Sequence, residues 1–150
     1  AQGVADVLGS DHAPHTLEEK AKPYPNSPSG MTGVQTLVPL MLDHVHAGRL
    51  TLERFVDLTS AGVARLFGLA TKGRIAAGYD ADFTIVDLKR KETITRNWIA
   101  SKSQWSPYEG KTVTGWPVGT IVRGHKVMWD GELVTPAQGE PVLFNEALPR

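Results

Sequence analysis

Apolar and polar positions change period part-way along the chain. Val4-Ala5-Asp6-Val7-Leu8-Gly9 is a short apolar run closed by glycine, and it predicts a buried strand. Residues 9–33 follow without a clear period and are rich in Pro, Ser and Gly. A loop of that length in a compact domain is usually functional or disordered. From Val34 to Ala47 the apolar positions Val34, Leu37, Val38, Leu40, Met41 and Val45 recur at helical spacing. Pro39 lies inside that pattern, so it predicts a later start or a kink. Gly48 supplies a stop. Thr51 can cap a second helix over Leu52 to Thr59, and Ser60 a third over Ala61 to Phe67, ending at Gly68.

Near Thr71 the period becomes strand-like. Asp80 to Asp87 alternates after Gly78, and Thr120-Ile121-Val122 and Lys126 to Trp129 flank Arg123-Gly124. Asp130-Gly131 predicts a tight hairpin before Glu132-Leu133-Val134. The expected division is therefore a helical portion over 1–71 and an all-β portion over 72–150.

Composition narrows the class. The chain has 150 residues, 41% hydrophobic and 21% charged, with formal net charge zero. That balance offers neither a nucleic-acid footprint nor a polybasic membrane surface. No apolar run approaches membrane-spanning length. There are no cysteines, which excludes a disulfide framework and Cys-ligated zinc and fits a cytoplasmic protein. The chain opens at Ala1 almost directly into the predicted strand, so we read it as a segment of a longer polypeptide.

Candidate chemistry concentrates at Ser10-Asp11-His12-Ala13-Pro14-His15. A strand that delivers an Asp and then a His into a Pro-containing loop is how a β/α barrel presents its chemistry. Asp11 can ligate a metal or act as a general base, and His15 can bind a metal or hydrogen-bond a substrate anion. The plain alternative is an Asp-initiated surface turn. His44-Val45-His46 looks like a metal pair but lies in a helical pattern, where residues two apart face about 200° from each other. It is read as two exposed helix histidines. His125 falls in a hairpin and reads as surface. Trp98, Trp105, Trp116 and Trp129 read as core or interface aromatics, and Lys89-Arg90-Lys91 as a solvated turn.

The segment Asp11 to Lys20 resembles the signature of the dihydroorotases, members of the amidohydrolase superfamily. The likeness continues through Pro28-Ser29-Gly30, Gly33-Val34-Gln35-Thr36, Leu66-Phe67-Gly68-Leu69, Lys72-Gly73-Arg74-Ile75 and Gly78-Tyr79-Asp80-Ala81-Asp82. It then runs through Ser106-Pro107-Tyr108-Glu109-Gly110 to Thr120-Ile121-Val122-Arg123-Gly124, in the order expected for the last third of such an enzyme.

This resemblance implies an α/β fold: the last strand, loop and helices of a (β/α)8 TIM-type barrel over 1–71, followed by part of a small β-sandwich domain over 72–150. It implies zinc-dependent, reversible hydrolysis of dihydroorotate to N-carbamoyl-aspartate in pyrimidine biosynthesis. Asp11 would be both a metal ligand and the catalytic proton carrier. His15, Ser29 and Gly30 would bind the substrate carboxylate, and His12 would have a supporting role. The other ligands of a binuclear zinc centre (a His-x-His pair, a carboxylated Lys and two further His) would lie upstream. The implied partners are that upstream barrel segment, the small-molecule substrate and further copies in a homo-oligomer, with no nucleic acid and no membrane. Two rivals remain: another cyclic amidohydrolase such as an allantoinase or hydantoinase, and a non-catalytic dihydroorotase-like assembly partner. The segment alone is expected to be inactive.

Overall fold

Pro39 marks where the first long helix begins. In the computed structural model, which describes residues 3–134, 136 and 139–145, helix α2 runs Leu37–His46 and Pro39 occupies its first turn. There its missing N–H is one the helix could not have used, so the proline neither breaks nor kinks it. The expected start at Val34 is three residues early, and Val34 lies on a turn, 59% exposed. Ahead of α2 the long loop contains a short helix, α1 (Leu17–Lys20), closed by a Thr16–Glu19 capping box.

Thr51 caps α3 (Leu52–Val56) by accepting from the Arg54 N–H at 3.1 Å. The two expected short helices are one continuous helical segment. A π-helical stretch, Asp57–Ala61, joins α3 to α4 (Gly62–Phe67), and Ser60 lies inside it rather than capping a new helix. Gly68 ends the segment in a left-handed conformation.

Residues 4–8 do not form the expected buried strand. They belong to no ladder among the described residues, and Val4 is 84% exposed. The reason is the hydrogen-bond account of an extended segment. A strand needs neighbouring strands to satisfy its N–H and C=O groups. Here the ties are Leu8 N–H to the Leu58 carbonyl, 2.9 Å, and the Arg54 guanidinium to the Ala5 carbonyl.

The second portion is an antiparallel meander of β1 (Phe83–Thr93), β2 (Thr112–Val122), β3 (His125–Trp129) and β4 (Glu132–Leu133), in the order β1-β2-β3-β4. The turns at Arg123-Gly124 and Asp130-Gly131 take positive φ at both central residues, as tight hairpins require. Lys89-Arg90-Lys91 is not a turn. It lies within β1, where the register shifts between Asp87 and Lys91, and the Asp87 carboxylate accepts from the Lys89 and Arg90 N–H groups. His125 is exposed at the start of β3, as expected. Residues 135, 137, 138 and 146–150, and Ala1 and Gln2, lie outside the described residues, so the expected segments 1–71 and 72–150 are described only in part.

The two portions pack on each other. The Asp43 carboxylate accepts from the Thr114 N–H at 3.1 Å, which ties α2 to β2. Gly115 has φ 100, and an added Cβ would stand 2.5 Å from that of buried Leu42, so only glycine fits the contact. Ile94, Ile99, Val113 and Trp116 form a buried cluster, and the Trp98 ring packs on Trp116 at 4.6 Å with the two planes tilted by 45°.

Asp80 and Asp82 close the junction between the portions. Lys72 Nζ lies 3.0 Å from Asp80 and also pairs with Asp82, and Arg123 reaches Asp80 at 3.3 Å. Hydrogen bonds from Lys72 and then from Thr71 hold the Asp80 carboxyl below its ordinary value of 3.8. A lowered carboxylate stabilises the fold above its ordinary range, and that contribution is lost as pH falls through the lowered value. Lys72 is raised by its bond to Asp82, so its contribution holds at neutral pH and is lost only as pH rises through the raised value. Asp80→Asn should therefore lower the Tm near neutrality. It should also flatten the loss of Tm on acidification through and below the ordinary carboxylate range. Parallel acid titrations of Tm that superimpose for wild type and variant would remove Asp80 from this role.

Candidate active site

The residues after the extended run do not drift into solvent as an open loop. Residues 10–15 lie alongside 30–34. The Ala13 N–H donates to the Met31 carbonyl at 3.2 Å, and the Val34 N–H donates to His12 Nδ1 at 3.3 Å. His12 is thereby committed to holding the loop. Gly30, at φ 98, makes the approach possible: an added Cβ would stand 2.7 Å from the Ala13 carbonyl oxygen. Lys20, at the end of α1, fastens the returning segment by donating to the Pro28 carbonyl at 2.6 Å and the Gly30 carbonyl at 3.2 Å.

Asp11 stands at the turn of this structure with φ 47 and is exposed. A left-handed conformation is uncommon outside glycine, though Asp tolerates it better than most residues. Its carboxylate makes no hydrogen bond or ion pair with another described residue, so it is open to an external ligand.

His15 is half-buried, with Nδ1 turned toward Glu19 Oε2 at 3.5 Å. The Thr16 N–H holds the Glu19 carboxyl below its ordinary range, so Glu19 is anionic at neutral pH beside that nitrogen. The other ring nitrogen of His15 has no partner among the described residues. Ser29 and Gly30 are exposed on the returning segment.

A third segment, from the β portion, reaches this loop. The Trp105 indole N–H donates to the His15 carbonyl at 2.6 Å, and the Trp105 carbonyl accepts from Thr32 at 2.5 Å. Gln35 donates to the Trp98 carbonyl at 2.6 Å and accepts from the Ala100 N–H at 2.9 Å. In the sequence Trp105 reads only as a core or interface aromatic, and Lys20, Thr32 and Gln35 carry no signal of a role. Their partners are backbone atoms, many of them far away in sequence, and no local spacing reveals such bonds.

Asp11 suits a metal as one oxygen ligand. Among the described residues, however, no group of three or more His, Cys, Asp or Glu could hold an ion. His44 and His46 lie on α2 as expected, and His44 accepts from Arg49 at 2.6 Å. An apolar depression of about 360 Å³ opens beside His12, Val34 and Ile99, but its lining includes neither Asp11 nor His15.

Residues 1–127 match the amidohydrolase family. The chain belongs to that family. Members of the amidohydrolase family are generally metal-dependent. The chain is 44% identical over 129 residues to the dihydroorotase of Methanothermobacter thermautotrophicus, covering 86% of this chain and 30% of that protein. It is 45% identical over 142 residues to the dihydroorotase of Halobacterium salinarum, covering 95% and 33%. Among solved structures, the L-hydantoinase (dihydropyrimidinase) from Arthrobacter aurescens superposes with a TM-score of 0.82 at 39% identity, over 87% of this chain and 30% of that one. The chain therefore spans about a third of the length of the relatives it matches. The mixed α/β architecture with an antiparallel sheet agrees with these amidohydrolase-type neighbours. No helix among the described residues is long and apolar enough to cross a membrane.

Proposed function

We propose that this chain is the C-terminal third of a zinc-dependent dihydroorotase, which reversibly hydrolyses dihydroorotate to N-carbamoyl-aspartate in the cytoplasm. In this reading residues 1–71 supply the last strand, site loop and outer helices of a (β/α)8 barrel, and residues 72–150 supply part of its β-sandwich. The observation that carries the proposal is the folded-back loop. It sets Asp11, His15 and Gly30 on adjoining loop segments, in a chain related to dihydroorotases over most of its length. The ladderless run at residues 4–8, with Val4 exposed, fits a barrel strand whose neighbours belong to an upstream segment.

The open Asp11 carboxylate fits as one ligand of a binuclear zinc centre, with the remaining ligands upstream. Zinc, when bound, brings water ionisation toward neutral pH and polarises the amide carbonyl. Asp11 accepts the proton of the attacking water as its oxygen bonds to the ring carbonyl carbon. It then returns that proton to the ring nitrogen as the C–N bond breaks. An amide nitrogen leaves poorly unless it is protonated, so one carboxylate serves both halves of the step. His15 donates from its free ring nitrogen to the substrate carboxylate, and the exposed backbone at Ser29 and Gly30 completes that pocket.

Hydantoinase activity is the second reading, favoured by the superposition on hydantoinases. A hydantoin ring need not carry a carboxylate, so the carboxylate decides between the two. Initial rates of the full-length enzyme on dihydroorotate, a hydantoin and allantoin, measured side by side, should favour dihydroorotate. His15→Ala should weaken binding of dihydroorotate by about tenfold or more, because a charge-assisted hydrogen bond is lost. Inhibition by dihydrouracil, the same ring without the carboxylate, should be nearly unchanged. A preference for hydantoin, with equal losses for both ligands in the variant, would replace the first reading by the second. The proposed enzyme is also expected to be a homo-oligomer.

A further inference from the structure

We propose that Trp105 is a positioning residue for the substrate-carboxylate pocket, acting from the β portion through the His15 backbone. This inference rests on the dihydroorotase reading of His15 and Gly30. Three observations carry it. The indole N–H of Trp105, which can only donate, meets the His15 carbonyl at 2.6 Å. The Trp105 carbonyl holds Thr32, which is 4% exposed and two residues beyond Gly30, at 2.5 Å. Lys20, which fastens the Pro28 and Gly30 carbonyls, lies 6.0 Å from the centroid of the Trp105 ring.

The side chain and the carbonyl of one residue therefore bridge both arms of the site loop. The His15 ring is already turned by Glu19 on one nitrogen. What remains free is the position of its backbone, and the indole bond limits that. Gln35 pins the same incoming segment at Trp98 and Ala100, so the bridge is anchored at its far end to the first turns of the α2 region. A substrate carboxylate would then meet a His15 whose distance from Gly30 is set in advance, which lowers the ordering cost of binding.

The test is Trp105→Phe in the full-length enzyme, which keeps a ring near Lys20 and the backbone carbonyl for Thr32 but removes the N–H. The KM for dihydroorotate should rise about tenfold, kcat should stay within about twofold, and inhibition by dihydrouracil should be unchanged. Trp129→Phe, the same deletion on β3, should leave all three unchanged. His15→Ala is run beside them. If His15→Ala weakens dihydroorotate selectively and Trp105→Phe does not, the positioning role is overturned and the pocket reading stands. If His15→Ala is itself unselective, both fall. If Trp105→Phe moves kcat, both ligands and Tm together, Trp105 only supports the fold and the inference is overturned.

Discussion

Asp11→Ala in the full-length enzyme is expected to lower turnover by roughly three orders of magnitude or more while most of the metal stays bound. The size follows from the role. Asp11 is proposed to carry a proton in both halves of the reaction, and a positioned acid–base group is worth about 10²–10⁴-fold in rate. Metal should persist because one carboxylate is a minor part of a ligand set that ordinarily needs three or more protein groups. Loss of fold is a weak rival explanation, since Asp11 is exposed and makes no bond to a described neighbour. Alanine does lose some tolerance for φ 47, so Asp11→Asn separates the two. Asn accepts a left-handed conformation but cannot take a proton at neutral pH. Turnover and zinc content of the purified variants check the expectation. An Asp11→Asn enzyme with near-normal turnover would end the assignment.

Much of the β portion was legible from local chemistry. Arg123-Gly124 and Asp130-Gly131 specify hairpins by themselves, because few residue pairs accept positive φ at both positions. The Thr51 cap was legible for the same reason, being a bond between residues three apart. What failed locally failed through competition. Ser60 is a good cap, yet the helix passes through it as a π stretch that joins α3 to α4 without a break. Lys89-Arg90-Lys91 reads as a solvated turn, and Lys89 and Lys91 are exposed, but Asp87 folds the run into a strand irregularity. The strand over 4–8 failed differently: its pattern is that of a strand, but a strand is a property of pairs.

The candidate site divides along the same line. Asp11 and His15 were legible because a single loop carries them. Gly30 was assigned with Ser29 to backbone that holds the substrate carboxylate. The structure adds a contact that the sequence does not show: an added Cβ there would meet Ala13, seventeen residues away in sequence. Trp105 was visible only as a core or interface aromatic, since its bond to His15 spans ninety positions. Packing of α2 on β2 through Asp43 and Thr114 was likewise beyond local reading.

In the proposed reading this chain brings Asp11 and part of the substrate pocket to a site it does not complete. The most direct test of that claim is hydrolysis of dihydroorotate by residues 1–150 alone, with zinc present, and again after the upstream segment of the same enzyme is supplied and co-purified. A lone carboxylate cannot hold a catalytic zinc, and in the proposed reading the run over 4–8 needs neighbouring strands to take its place in a barrel. The expected result is no hydrolysis by the chain alone, activity on association with the upstream segment, and none when the associated chain carries Asp11→Ala. Hydrolysis by residues 1–150 alone, or equal activity from the assembly carrying Asp11→Ala, would contradict the claim.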